Sequence, residues 1–219
     1  MRKVFDKFTH GTSEPLPFTY VGLKMYREGT DLILDQDHYV KNMEVPDISI
    51  YGATKMDELL DVQGQKLFRS MAAKLGMLCQ ISRPDVAYEA KVWATRYGKA
   101  TKRDLRDVCK KMQFLKEETT RMVYPDLGQV KDWFLVGFAD ASLQSVPDRI
   151  GSVEGQVTLL ANKVTGRACV LGWRSKQLDR VVHSSQACEA LATLVSHGRS
   201  AVHQDDVAAA VRHEDTGRP

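Results

Sequence analysis

Two acids stand where metal chemistry would need them. Asp140, in Phe138-Ala139-Asp140-Ala141-Ser142, ends an apolar run, and Glu189, in Ser184-Ser185-Gln186-Ala187-Cys188-Glu189-Ala190-Leu191, falls on a helical pattern. Trp173-Arg174-Ser175-Lys176 lies between them. A carboxylate at a strand end and a second on the following helix aim at one point, and hard divalent cations such as Mg²⁺ select acidic oxygens. Two such ligands make half of a site. The other ligand types add little. Cys79, Cys109, Cys169 and Cys188 form no C-x-x-C pair and read as buried small hydrophobes. His197 and His203 have no Cys or third His beside them and read as surface residues.

The elements that must carry these acids follow from periodicity. From Asp132 onward, Trp133 to Ala139, Gln156 to Leu160 and Ala168 to Trp173 read as three strands, with turns at Pro147-Asp148 and Thr165-Gly166. Short turns imply an antiparallel meander, and Ser184 or Ser185 then caps a helix through Glu189 and Leu194, giving β-β-β-α. Upstream, Phe18 to Tyr26, a turn at Glu28-Gly29 and Leu32 to Leu34 read as a β-hairpin, with a short helix after Asp35. The stretch from Met43 to Gln63 holds Pro46, Gly52 and several acids, and reads as a linker.

Three helical stripes come next. Leu67, Phe68, Met71, Ala72, Leu75, Leu78 and Cys79 form the first, and Val86, Ala87, Ala90, Trp93, Ala94 and Tyr97 the second. Arg83-Pro84 separates them, since proline suits a first helical turn and breaks what precedes it. In the third, Thr101 followed by Asp104 resembles a cap, and Leu105, Val108, Cys109, Met112 and Leu115 share one face. Core packing accounts for all three stripes.

Composition and charge bound the rest. The chain has 219 residues, 43% apolar and 27% charged, which reads as a soluble chain able to bury a core. No run approaches the roughly 18 apolar residues of a membrane span, and Met1-Arg2-Lys3-Val4-Phe5-Asp6 lacks a signal-peptide stretch. An intracellular protein, cytoplasmic or nuclear and with no membrane partner, is the expectation. The net charge of +3 is unevenly spread: ten Lys and Arg against four acids between Lys91 and Arg121 give that segment +6 and leave −3 elsewhere. Such an excess neutralises phosphates, although a charged helix run is more often a solvated face. Lys99, Lys102, Arg103, Arg106, Lys110 and Lys111, with Arg174 and Lys176 further on, are the candidate nucleic-acid contacts.

Several motifs, taken in order, resemble one family. Phe68-Arg69-Ser70-Met71 with Cys79-Gln80-Ile81-Ser82-Arg83-Pro84-Asp85-Val86-Ala87 resembles the Y-R-S-L…T-R-P-D-I-A segment of copia-type retrotransposon polyproteins. Tyr20-Val21-Gly22 and Gln36-Asp37-His38-Tyr39 resemble its F-L-G…Q-x-x-Y stretch, and Phe114-Leu115-Lys116 its R-Y-L-K-G-T segment. Asp140-Ala141-Ser142, Asp148-Arg149, Ser152 to Leu160, Trp173 to Gln177 and Ser184 to Glu189 resemble the D-A-D, D-R-x-S-x-S-G-Y-V, W-x-S-K-K-Q and S-S-T-E-A-E-Y segments.

The resemblance implies a Pol fragment of α+β class, a β-hairpin and three-helix connection region followed by a truncated ribonuclease H-like β-β-β-α domain. It implies a remnant of the reverse transcriptase palm over 1–45, a linker over 46–63, a helical thumb or connection region over 64–125, a partial ribonuclease H-like domain over 126–197 and an atypical tail over 198–219. No Y-x-D-D hairpin is present, so no polymerase activity is expected. In the parent family three or four carboxylates hold two Mg²⁺ and cleave the RNA of RNA/DNA hybrids. Asp140 and Glu189 match two of these ligands, and Asp205 is the single candidate for a third. The implied partners are an RNA/DNA hybrid or other nucleic acid and the missing palm and fingers of the parent polyprotein. A non-catalytic transposon remnant that keeps at most nucleic-acid binding is the alternative.

Overall fold

Caps and apolar stripes set the helices, and period-two alternation sets the strands. The computed structural model describes residues 15–52, 54–142, 152–178 and the single residues 184, 186 and 189. Strands β1 (Phe18–Tyr20), β2 (Leu23–Glu28), β3 (Asp31–Asp35) and β4 (Met122–Tyr124) form one sheet in that order. The run expected as one strand from Phe18 to Tyr26 is two, because the chain turns at Val21 (φ 49°) and Gly22 (φ 77°). Positive φ is where an extended strand cannot continue. Helix α1 (Asp37–Lys41) follows, as expected after Asp35.

Helices α2 (Val62–Ile81), α3 (Ala87–Ala94) and α4 (Lys102–Glu117) carry the three predicted stripes. α2 starts at an Asp61 cap, whose Oδ1 accepts from Gly64 N–H at 2.7 Å. The second helix is shorter than its stripe. A 3₁₀ turn at Pro84–Val86 takes up its start, and it ends at Ala94. α4 has a full capping box: the Thr101 hydroxyl accepts from Asp104 N–H at 3.3 Å, and Asp104 accepts from Thr101 N–H at 2.8 Å. Phe68, Leu75, Leu78, Leu105, Val108, Met112 and Leu115 are buried together in one core.

The segment expected as a linker is packed into this helical unit. Leu60 is buried, and three backbone bonds tie the segment to the start of α4 and the residues before it: Leu60 N to Ala100 O, Lys102 N to Glu58 O and Arg103 N to Met56 O. Chain contacts accordingly gather Ile33–Met122 with Thr19–Met25 into one compact unit, with no boundary at 45 or 63. Polar groups close the same unit from inside. Buried Arg83 forks onto Asp85 (Nε to Oδ1 2.9 Å, NH2 to Oδ2 2.8 Å) and gives a third donor to Glu118 O, so its charge is compensated.

The second unit is built on β5 (Trp133–Ser142), β6 (Val153–Asn162) and β7 (Ala168–Gln177), an antiparallel sheet in the order β5-β6-β7. This is the expected meander, with β6 beginning three residues earlier than Gln156 and β7 running four beyond Trp173. The turn at Thr165-Gly166 is present: Asn162 Oδ1 accepts from Val164 and Thr165 N–H, and Gly166 takes φ 68°. Leu127, Leu160 and Cys169, flanked by Tyr124, Trp133 and Leu135, make its small core. The expected turn at Pro147-Asp148 and the tail from 198 lie outside the described residues. The chain is therefore of mixed α+β class. Among the described residues no helix is long and apolar enough to cross a membrane.

Candidate functional site

Asp140 lies near the end of β5 and is exposed, with its Oδ1 accepting from the next residue's N–H, Ala141, at 2.9 Å. Directly opposed residues of a sheet share a face. Asp140 opposes Gly155, which opposes Ser175, so these three share a face with Phe134, Val136 and Phe138. A glycine as its cross-strand neighbour leaves the carboxylate open to solvent on that side. Glu189 is exposed and in helical conformation, at the place in the chain where the helix of the β-β-β-α order was expected. Asp205 lies outside the described residues, as do Cys188, His197 and His203.

The chemistry that the resemblance implies needs two Mg²⁺ about 3.5–4 Å apart, clasped by three or four carboxylates. Among the described residues no group of three or more His, Cys, Asp or Glu is placed to hold one ion. Asp140 and Glu189 are the two candidate acids among the described residues.

The basic residues separate into two sets. Arg174 and Lys176 alternate onto the face of β7 opposite to Ser175, and hence opposite to Asp140. There they lie beside Gln156 and Glu154, and Arg174 NH2 is 3.5 Å from Glu154 Oε1. Glu154 is 2% exposed and its Oε2 has no hydrogen-bond partner among the described residues, so the Arg174 charge serves to hold a buried carboxylate. Sequence reading passed over Glu154 because it began the strand at Gln156. The signal was there, since Glu154, Gln156, Thr158 and Leu160 alternate in phase.

The set before and within α4 was expected exposed, and is mostly engaged. Lys102 Nζ reaches Glu58 at 2.7 Å, Arg103 Nε reaches Asp57 at 3.0 Å, Lys111 Nζ reaches Glu89 at 2.7 Å, and Arg106 NH2 donates to Gly52 O at 2.9 Å. Hydrogen bonds from Arg103 and Lys102 hold the Asp57 and Glu58 carboxyls below their usual range. Lys110 is exposed and Lys99 half-buried, and no acid among the described residues is recorded against either. Asp57 and Glu58 come from segment 56–58, whose packing against α4 the sequence did not reveal, and Glu89 from α3.

Of the cysteines among the described residues, Cys109 and Cys169 are buried and Cys79 is half-buried. Burial raises the thiols of Cys79 and Cys169, and pushes that of Cys109 up to about 11. A cavity of about 640 Å³ lies in the second unit, lined by Arg27, Tyr124, Leu127, Trp133, Leu160 and Cys169 among others, on the face away from Asp140. No protein-family model matches the chain, and no curated protein matches it.

Proposed function

We propose that the chain is a fragment of a copia-type retrotransposon Pol polyprotein, and that its function is backbone recognition of RNA/DNA hybrids by a ribonuclease H-derived fold that does not cut. The observation that carries this reading is the meander of three ten-residue strands, with Asp140 near the end of the first and Glu189 helical after the third. That is the order in which the resembling motifs require strand, strand, strand and helix. Cleavage is left out because the sequence supplies Asp140 and Glu189 and, beyond them, only Asp205 as a third acid; Ser142 stands where the D-A-D motif carries its second Asp. Polymerase activity is left out because no Y-x-D-D hairpin is present.

In this reading Lys110 and Lys99 contact phosphates, Lys102, Arg103, Arg106 and Lys111 join them only by leaving their internal partners, and Arg174 and Lys176 serve the sheet. Recognition rests on duplex shape and phosphates, since A-like helices keep base edges from side chains. The hybrid would bind without sequence preference and with affinity falling steeply as salt rises. The test is fluorescence anisotropy with labelled hybrids of two unrelated sequences, comparing the chain with K99E/K110E. Equal affinities for both sequences, weakened in the variant, support the reading. Binding unchanged in K99E/K110E sinks the assigned contacts.

A second reading, a working ribonuclease H, draws on the exposure of Asp140 beside Gly155, which leaves its carboxylate reachable by a hydrated cation. Cleavage of the RNA strand in Mg²⁺, lost in D140N and in E189Q, would establish it in place of the first.

A further inference from the structure

Tyr97 follows helix α3 and leaves an aromatic ring at the surface, 38% exposed. The helical core fixes that ring. It meets Phe68 edge-on, with centroids 6.3 Å apart and planes at 76°, and Phe68 is itself fully buried. The Arg69 guanidinium lies over the ring, its Cζ 5.6 Å from the centroid, within reach of a cation–π contact. Gly98, at φ 80°, then turns the chain back toward α2. There the Gln65 side chain donates to Ala100 O at 2.8 Å and accepts from Ala100 N–H at 3.2 Å. Those two bonds hold Lys99 beside α2, where Lys66 lies one turn before Arg69 on the same face. Lys66 and Arg69 are exposed and Lys99 is half-buried, and no acid among the described residues pairs with any of the three. All of these residues lie in the helical unit.

We propose that Tyr97, Arg69, Lys66 and Lys99 bind an unpaired strand of nucleic acid, one base stacking on the Arg69–Tyr97 pair and its flanking phosphates meeting Lys66 and Lys99. The ring decides the class of partner. Three cations alone would suit any polyanion, but an aromatic ring with a planar guanidinium over it adds a flat surface for a base. Such platforms accept bases of any identity, because each base has a π-face. In a duplex those faces are already stacked on the neighbouring pairs, so the platform serves unpaired nucleotides only. The proposal rests on the hybrid-binding reading for its class of partner and extends it to the single strand that flanks a duplex. Lys99 is common to both, whereas Lys66, Arg69 and Tyr97 belong to the unpaired strand alone.

Stacking of one base on a protein platform changes affinity about 5- to 150-fold. Each phosphate neutralised on a single strand adds about −0.7 to the slope of log K against log salt. Tyr97→Leu therefore removes the stacking and keeps the apolar contact with Phe68, and Tyr97→Phe keeps both.

Fluorescence anisotropy of the full chain with three labelled ligands tests the proposal: a blunt RNA/DNA hybrid, the same hybrid carrying a short oligodeoxythymidine overhang, and the free oligodeoxythymidine strand. The overhang should raise affinity about five-fold or more. Y97L should lose that gain while binding the blunt hybrid as the wild type does, and Y97F should keep it. K66E should leave the blunt hybrid unaffected and lower the salt slope for the free strand by about 0.7. An overhang that adds nothing, a gain that Y97L retains, or a loss in Y97L that falls equally on the blunt hybrid overturns the proposal and leaves the hybrid-binding reading in place. If neither hybrid binds, that reading has failed and the free strand decides: binding lost in Y97L supports the platform, and no binding overturns it. An oligoglutamate that displaces the free strand as well as unlabelled oligodeoxythymidine does would make the patch a plain cation cluster, and overturns it too.

Discussion

On the proposed hybrid-binding reading, neutralising Asp57 and Glu58 should tighten that binding and steepen its dependence on salt. In the free chain Glu58 Oε2 lies 2.7 Å from Lys102 Nζ, and Asp57 Oδ1 lies 3.0 Å from Arg103 Nε, so a phosphate must displace an acid to reach either cation. The backbone bonds from Lys102 N to Glu58 O and from Arg103 N to Met56 O hold the segment in place whatever those side chains are. D57N/E58Q therefore frees two cations without releasing the segment. Each phosphate neutralised adds about −0.9 to the slope of log K against log salt, so two add about −1.8. Between 50 and 200 mM salt that is about one further decade of lost affinity, and the variant must bind correspondingly tighter at the low-salt end. Anisotropy titrations of one labelled hybrid at three salt concentrations measure both slopes. Parallel lines for the two proteins would refute the reasoning, because they would mean that Lys102 and Arg103 never meet the phosphates.

Phe68→Ala removes a fully buried ring that meets Tyr97 edge-on at 6.3 Å between centroids, and should cost about 3–5 kcal/mol in urea unfolding; a loss under about 1 kcal/mol would mean that this helical core is not packed as described. Arg174→Ala removes the cation 3.5 Å from the buried Glu154 carboxylate and should destabilise by about 3 kcal/mol, with R174A/E154L recovering most of the loss; equal losses in both variants would contradict a charge-based cause. Asp57, Glu58 and Asp85 have carboxyls lowered in the folded chain by their Arg or Lys partners, so their contribution is complete above the unfolded values of 3.8, 4.5 and 3.8 and is lost as pH falls through the lower folded ones. The urea midpoint should accordingly be level from pH 7 to about 5 and fall below about 4; a midpoint that rises on acidification would reverse that sign. Cys109, buried and raised to about 11, should resist an aromatic disulfide reagent at neutral pH until denaturant is added, and rapid labelling of that residue in the native chain would contradict its burial.

Local signals carried most of the elements. The α4 cap was legible because Thr101 and Asp104 satisfy each other within one turn, and the stripe from Leu105 to Leu115 needed only the 3.6-residue period. The meander was legible because Trp133 to Ala139 and Ala168 to Trp173 are β-rich runs with turn residues between them. What escaped depends on distant partners. Nothing in Met56 to Leu60 announces that its carbonyls and acids engage the start of α4, since those contacts span more than forty residues of chain. Val21 at φ 49° broke a strand that composition favours, because the turn at Gly22 brings the backbone past Tyr39. The candidate site was legible in part. Asp140 stands at the strand end as its run suggested, yet the side on which Arg174 and Lys176 fall became readable only from the β6–β7 register.

Incubation of the full chain with an RNA/DNA hybrid labelled on its RNA strand, in Mg²⁺, tests the central claim most directly when half of each sample is run on a native gel and half on a denaturing one. A ribonuclease H-derived binder predicts a shifted complex whose RNA strand remains full length. RNA cut in a manner lost on D140N and E189Q would contradict the non-cutting half of the claim, and a hybrid that never shifts would contradict the rest.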